Sequence, residues 1–142
     1  MNLHATCIAI DGAAVLLRGA SGSGKSDLAL RLIEGGATLV ADDRTDLVRE
    51  GAAIMASPPP AIAGKIEVRG VGVVEMPSLA RAPVRLLVDL VPPEAVVRFP
   101  EPRREELLGV ALPLIALAPF EASAPAKLRA ALRALARGPS PG

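Results

Sequence analysis

Residues 19–26 read Gly19-Ala20-Ser21-Gly22-Ser23-Gly24-Lys25-Ser26, and no other stretch of the chain constrains the backbone so tightly. Its three glycines let the chain wrap with N–H groups turned inward, where larger side chains would obstruct. Apolar Ala13 to Leu17 runs just before it. Just after it, Asp27 to Glu34 places Leu28, Ala29, Leu32 and Ile33 at helical spacing, and Gly35-Gly36 closes that helix. Strand, glycine loop and helix in this order match the P-loop pattern in full. The helix N-terminus adds unsatisfied N–H groups and the positive end of its dipole, so the string reads as an anion cradle for a nucleoside triphosphate. Lys25 would bridge the outer phosphates and the Ser26 hydroxyl would ligate Mg²⁺. A flexible Gly/Ser linker would not carry Lys-Ser followed directly by a helical pattern.

The remaining composition narrows the class. At 142 residues the chain has one domain's length and can bury a continuous core. A single cysteine, Cys7, excludes an internal disulfide and any Cys-based zinc site, and reads as a small core residue. Lys and Arg number 16 against 15 Asp and Glu, which argues against a dedicated nucleic-acid binder. With only Phe99 and Phe120 as aromatics, base-stacking platforms are excluded as well. The late apolar stretch Val110 to Phe120 carries two prolines and falls far short of the ~20 residues that cross a bilayer. The N-terminus lacks a basic segment and a cleavage site, so the expectation is a soluble, cytoplasmic protein without membrane or nucleic-acid partners.

Along the chain, Ala5 to Ile10 and Ala13 to Leu17 flank Asp11-Gly12 and read as a β-hairpin whose turn needs positive φ. Thr38 to Ala41 reads as a strand buried on both faces, ending at Asp42-Asp43. Ser57 to Pro60 is a rigid loop, and Lys65 to Val74 reads as strand, tight loop, strand. Val84 to Val91 is a strand stopped by Pro92-Pro93, and Glu94 to Glu106 is expected as a surface loop or short helix. Val110 to Leu117 is expected as an edge strand because of Pro113. Ala126 to Arg137 is an amphipathic helix, and residues 138–142 a disordered tail. The expected fold class is α/β, a P-loop nucleotide-binding core with a mixed sheet and additional antiparallel strands, in one domain over residues 1–137.

Phosphoryl transfer to a hydroxyl needs a proton acceptor and a metal site. Asp42 and Asp43 end the strand after the loop's helix, on the side of an α/β sheet where ligands bind. Mutual repulsion would raise the pKa of one, suiting it to accept a proton; the plain alternative is a cap or solvated turn. Leu86-Leu87-Val88-Asp89 offers a rival metal-ordering carboxylate. Glu67, in Glu67-Val68-Arg69-Gly70-Val71-Gly72, is a third, with a cross-strand ion pair to Arg69 as its plain alternative. His4, the only histidine, defaults to a structural role, and Arg98, Arg103 and Arg104 to solvated charges or anion contacts.

Taken together, His4, the segment Leu16 to Ser26, Leu39-Val40-Ala41-Asp42-Asp43-Arg44, Pro58-Pro59 and Ile66 to Gly72 resemble the catalytic domain of the HPr kinase/phosphorylase family. These bacterial enzymes act on a serine of HPr, the phosphocarrier of the sugar phosphotransferase system. The resemblance spans nearly the whole chain and weakens after about Arg103. It implies an ATP-dependent serine kinase that also runs phosphorolysis, with ATP and Mg²⁺ as cofactors and an HPr-type protein as partner. It further implies an active-site role for His4, ATP binding by residues 19–26 and magnesium ligation by Ser26 and Glu67. One of Asp42 and Asp43 becomes the proton acceptor and Arg98 an essential arginine, while Asp89 falls to a supporting position. A homo-oligomer, a hexamer in the family, is implied too. Against the family pattern the expectation is a short, catalytic-only form without the N-terminal domain of fuller members; the chain also departs from the pattern in reading Val97-Arg98-Phe99-Pro100 around the arginine and in carrying an Ala/Leu/Arg helix after the last strand. Two further readings remain open from the residues themselves: a P-loop kinase of a small hydroxyl compound, and a nucleotide-binding regulatory module without turnover.

Overall fold

A computed structural model describes residues 1–137; the tail expected at 138–142 lies outside the described residues. The element order is β1 (Asn2–Leu3), β2 (Ala5–Ile10), β3 (Ala13–Arg18), α1 (Lys25–Glu34), β4 (Thr38–Ala41), β5 (Thr45–Glu50) and β6 (Ala53–Ser57). There follow β7 (Lys65–Val68), β8 (Gly72–Glu75), β9 (Ala82–Leu90), β10 (Arg103–Leu107), β11 (Val110–Leu117) and α2 (Ala124–Ala136). Single 3₁₀ turns sit at Pro60–Ile62 and Pro93–Ala95.

The β2–β3 hairpin forms as its turn chemistry requires, with Asp11 and Gly12 both at positive φ. From β3 the chain runs through the glycine loop into α1 and back as β4. That strand pairs with the far side of β2, so β3 and β4 run parallel with β2 antiparallel between them. On the other side of β3 lies β9, parallel, and β9 is parallel in turn to the late half of β11. The start of β9 pairs instead with β6, so the nine-stranded mixed sheet curls. β7 and β8 form a separate hairpin that packs on α1.

The unbroken apolar reading of the inner strands has a simple cause: both faces are covered. Cys7, Leu16 and Leu87 face one core with Leu47, Ile54 and Leu112. Their neighbours Ile8, Leu17 and Val88 face the other, under Leu28 and Leu32 of α1 and Leu128 of α2. Burial pushes the Cys7 thiol well above its ordinary range, so it stays protonated.

Three expectations are corrected. Residues 103–106 are not loop or helix but most of β10, a charged strand held by its pairing with β11 across a turn at Leu108 and Gly109, both at positive φ. β11 is not an edge strand: it lies between β10 and β9, and Pro113 is tolerated because pairing to β9 begins only at Leu114. The hairpin of β5 and β6 had no counterpart in the sequence reading, and β6 takes in Ser57.

Candidate active site

The glycine loop closes on itself. Gly24 caps α1 at φ 101°, and a side chain there would strike the Phe120 ring. Lys25 is buried and its Nζ donates to the carbonyls of Gly19 (2.8 Å) and Ala20 (3.1 Å). The Ser23 hydroxyl is buried without a hydrogen-bond partner. A buried donor left unmatched in a glycine-rich loop at a helix N-terminus suits an anion.

Beside this loop the two aspartates have different surroundings. Asp42 is buried and accepts from three directions: the Ser26 hydroxyl at 2.6 Å, the Thr6 hydroxyl at 3.0 Å and the Glu67 amide at 2.9 Å. One carboxylate thus ties the glycine loop, β2 and β7 together. Asp43 adopts φ 64° and leaves its side chain 57% exposed. That left-handed backbone, costing about 1–3 kcal/mol in a non-glycine residue, is supported by its N–H donating to Thr6 Oγ1 at 3.0 Å. His4 Nε2 lies 2.7 Å from Asp43 Oδ1, and an ionised carboxylate only accepts, so the ring N–H is the donor. Lys25 Nζ stands 3.8 Å from the same oxygen.

His4, Lys25, Ser26, Asp42, Asp43 and the backbone of Glu67 therefore converge. The Glu67 side chain is exposed and forms no ion pair with Arg69 among the described residues. Asp89 is elsewhere: it accepts from Arg18 Nε at 2.8 Å, while the other arms of Arg18 grip Glu105, one of them Nη2 at 2.9 Å. The bond to Glu105 raises the Arg18 pKa further and lowers that of Glu105. This trio braces the last residue before the glycine loop, so the carboxylate bonded to Ser26 is Asp42, not Asp89. Arg98 is not drawn to the cluster; it lies in the exposed segment before β10, over the Phe99 ring at 5.1 Å.

Sequence reading missed Thr6, whose one hydroxyl serves both aspartates; its only signal is a polar residue inside an apolar strand. It also missed Arg31, which donates to the carbonyls of Pro119 and Glu121 (3.2 Å for the latter) and pins the loop after β11 to α1.

A glycine loop joined to a helix on a mixed α/β sheet, with paired aspartates beside it, defines the class. The HPr Serine kinase C-terminal domain family matches residues 1–84, and the chain belongs to it. It is 42% identical over 78 residues to the HPr kinase/phosphorylase of Clostridium tetani, covering 55% of this chain and 26% of that protein. To the HPr kinase/phosphorylase of Lactobacillus acidophilus it is 34% identical over 98 residues, 63% of this chain and 30% of that protein. The chain thus spans less than a third of the length of these curated relatives. The solved Hpr(Ser) kinase/phosphatase structure from Coxiella burnetii matches at a TM-score of 0.85 and 29% identity, over 96% of this chain and 97% of that one. Among the described residues no helix is long and apolar enough to cross a membrane.

Proposed function

We propose that the chain is an ATP-dependent protein-serine kinase acting on an HPr-type phosphocarrier, and that the same site runs the reverse phosphorolysis. The observation that carries this reading is the division of labour between Asp42 and Asp43. Asp42 is fully engaged as an acceptor and holds Ser26 in place. Asp43 is open to a protein substrate and steadied by His4.

In the forward direction residues 19–24 cradle the phosphates through backbone N–H groups, and Lys25 exchanges its two loop carbonyls for phosphate oxygens. The incoming serine oxygen attacks the terminal phosphorus, its proton passes to the Asp43 carboxylate, and the bond to the ADP oxygen breaks. His4 orients Asp43 through its 2.7 Å contact. In reverse, hydrogen phosphate attacks the phosphorus of phosphoserine and the bond from that phosphorus to the serine oxygen breaks; Asp43 passes the proton of the incoming phosphate to the serine oxygen, and pyrophosphate is the product. Ser26 and Glu67 supply hard oxygen donors suited to Mg²⁺, which when bound neutralises phosphate charge. For Arg98 to grip the incoming phosphate, its exposed segment before β10 must swing toward the cluster.

The test is incubation with γ-labelled ATP, Mg²⁺ and a purified HPr-type protein, followed by mass mapping. One labelled serine is expected, with the rate in Lys25→Ala reduced about 10²–10³-fold. Label appearing only as free phosphate would overturn the protein-kinase reading.

A further inference from the structure

The glycine loop accounts for a ligand's phosphates, yet beside it lies a cleft that this leaves unassigned. It measures about 400 Å³ and is lined by Ser23, Leu90, Val91, Pro92, Pro93 and the segment Ala118 to Glu121. That size is at the lower end of the range for small-ligand pockets. Its position follows from the topology. β3, β9 and β11 run parallel, so the residues after all three emerge on one edge of the sheet: the glycine loop, Pro92-Pro93 and Ala118–Glu121. Ligands of α/β sheets bind at that edge.

The walls are stiff. Val91 donates its N–H to the Leu117 carbonyl at 2.9 Å, fixing the two proline-bearing loops to each other. Arg31 grips the carbonyls on either side of Phe120, and Lys127 reaches Glu121 at 3.1 Å. Yet the Phe120 ring itself is 70% exposed, though its edge touches Gly24 of the loop. A large apolar ring held out of the core by an anchored backbone has given up the burial that normally stabilises such a side chain.

We propose that this cleft is the subsite for the nucleobase of the triphosphate, with the base seated on Phe120 against Pro92 and Pro93. The proposal rests on the reading of residues 19–26 as the phosphate cradle and extends it to the other end of the same ligand. Ser23 belongs to both parts: it is a residue of the loop, and it also lines the cleft. One ring does not make a platform for a nucleic-acid strand, but one ring is enough for one base. Because the walls offer faces rather than edge-reading groups, the cleft adds affinity by stacking.

The experiment compares ATP with inorganic tripolyphosphate, which carries phosphates and no base, by calorimetry at fixed Mg²⁺. The wild type is expected to bind ATP more tightly than tripolyphosphate. Phe120→Ala should weaken ATP about tenfold and leave tripolyphosphate unchanged. The chain has no tryptophan, so Phe120→Trp gives a unique fluorophore, expected to be quenched by ATP and not by tripolyphosphate. Equal weakening of both ligands in Phe120→Ala would make the ring a buttress of the loop and overturn the proposal. So would a wild type that gains nothing from the base. Failure of tripolyphosphate to bind the wild type at all would instead overturn the phosphate-cradle reading, and the base subsite with it.

Discussion

Replacing Thr6 by valine removes one oxygen and keeps the shape. That oxygen donates to Asp42 Oδ1 at 3.0 Å and accepts the Asp43 N–H at 3.0 Å. Losing a bond to a charged acceptor costs about 1.5–3 kcal/mol. Stranding the Asp43 N–H adds about 1 kcal/mol, the low end for an unmatched donor because the exposed Asp43 lets water approach. The added buried methyl returns roughly 0.8 kcal/mol. The net loss is about 2–3 kcal/mol, read as a lower urea midpoint with unchanged slope and as a fall of about 5–10 °C in Tm. Thr6→Ser keeps the hydroxyl and should recover most of the difference. Kinase turnover should fall in Thr6→Val beyond what reduced folding explains, because both Ser26 and Asp43 lose their reference point. A valine variant within about 0.5 kcal/mol of wild type, or a serine variant as unstable as the valine one, would refute the two-sided role of this hydroxyl.

Glu67→Gln should raise the magnesium requirement and be partly rescued by excess metal, whereas Asp89→Asn should leave the requirement unchanged; titrating turnover against Mg²⁺ separates the two. Arg98→Ala should reduce phosphate-dependent dephosphorylation of the carrier more than its ATP-dependent phosphorylation, checked by both rates at matched magnesium. Arg18 holds the Glu105 pKa below its ordinary 4.5, so this pair's stabilisation is present above that pH and is lost as pH falls through the folded value. Glu105→Gln should therefore be less stable than wild type at neutral pH, by under about 1 kcal/mol for a carboxylate 36% exposed, and the two urea curves should converge in acid.

What the sequence made legible is what local chemistry decides. Asp11-Gly12 forces a tight turn, the spacing of Leu28, Ala29, Leu32 and Ile33 forces a helix, and both appear where expected. Thr38 to Ala41 appears with its expected ends. β10 was illegible because Arg103-Arg104-Glu105-Glu106 has no apolar pattern; it is a strand only because β11 pairs with it. β5 and β6 mix polar and apolar residues around a Gly51-Ala52 turn, and gain their identity from β1 and β9. At the site, residue types and the segments they come from were readable. The difference between Asp42 and Asp43 was not, since it depends on the backbone angle at residue 43 and on a threonine 37 positions away.

The placement of Cys7 in the core also makes it a clock. It is the single thiol in the chain, has no exposed surface, and sits on β2 between β3 and β4, the two strands that lead into and out of the α1 segment. A thiol reagent can reach it only when those strands part, and the labelling rate then follows the population of that opened form. Anything that clamps the glycine loop and the Asp42–Ser26 bond also holds β3 and β4 together. Ligand binding at the glycine loop should therefore slow the labelling of this buried sulfur, a change readable by mass in the unmodified protein.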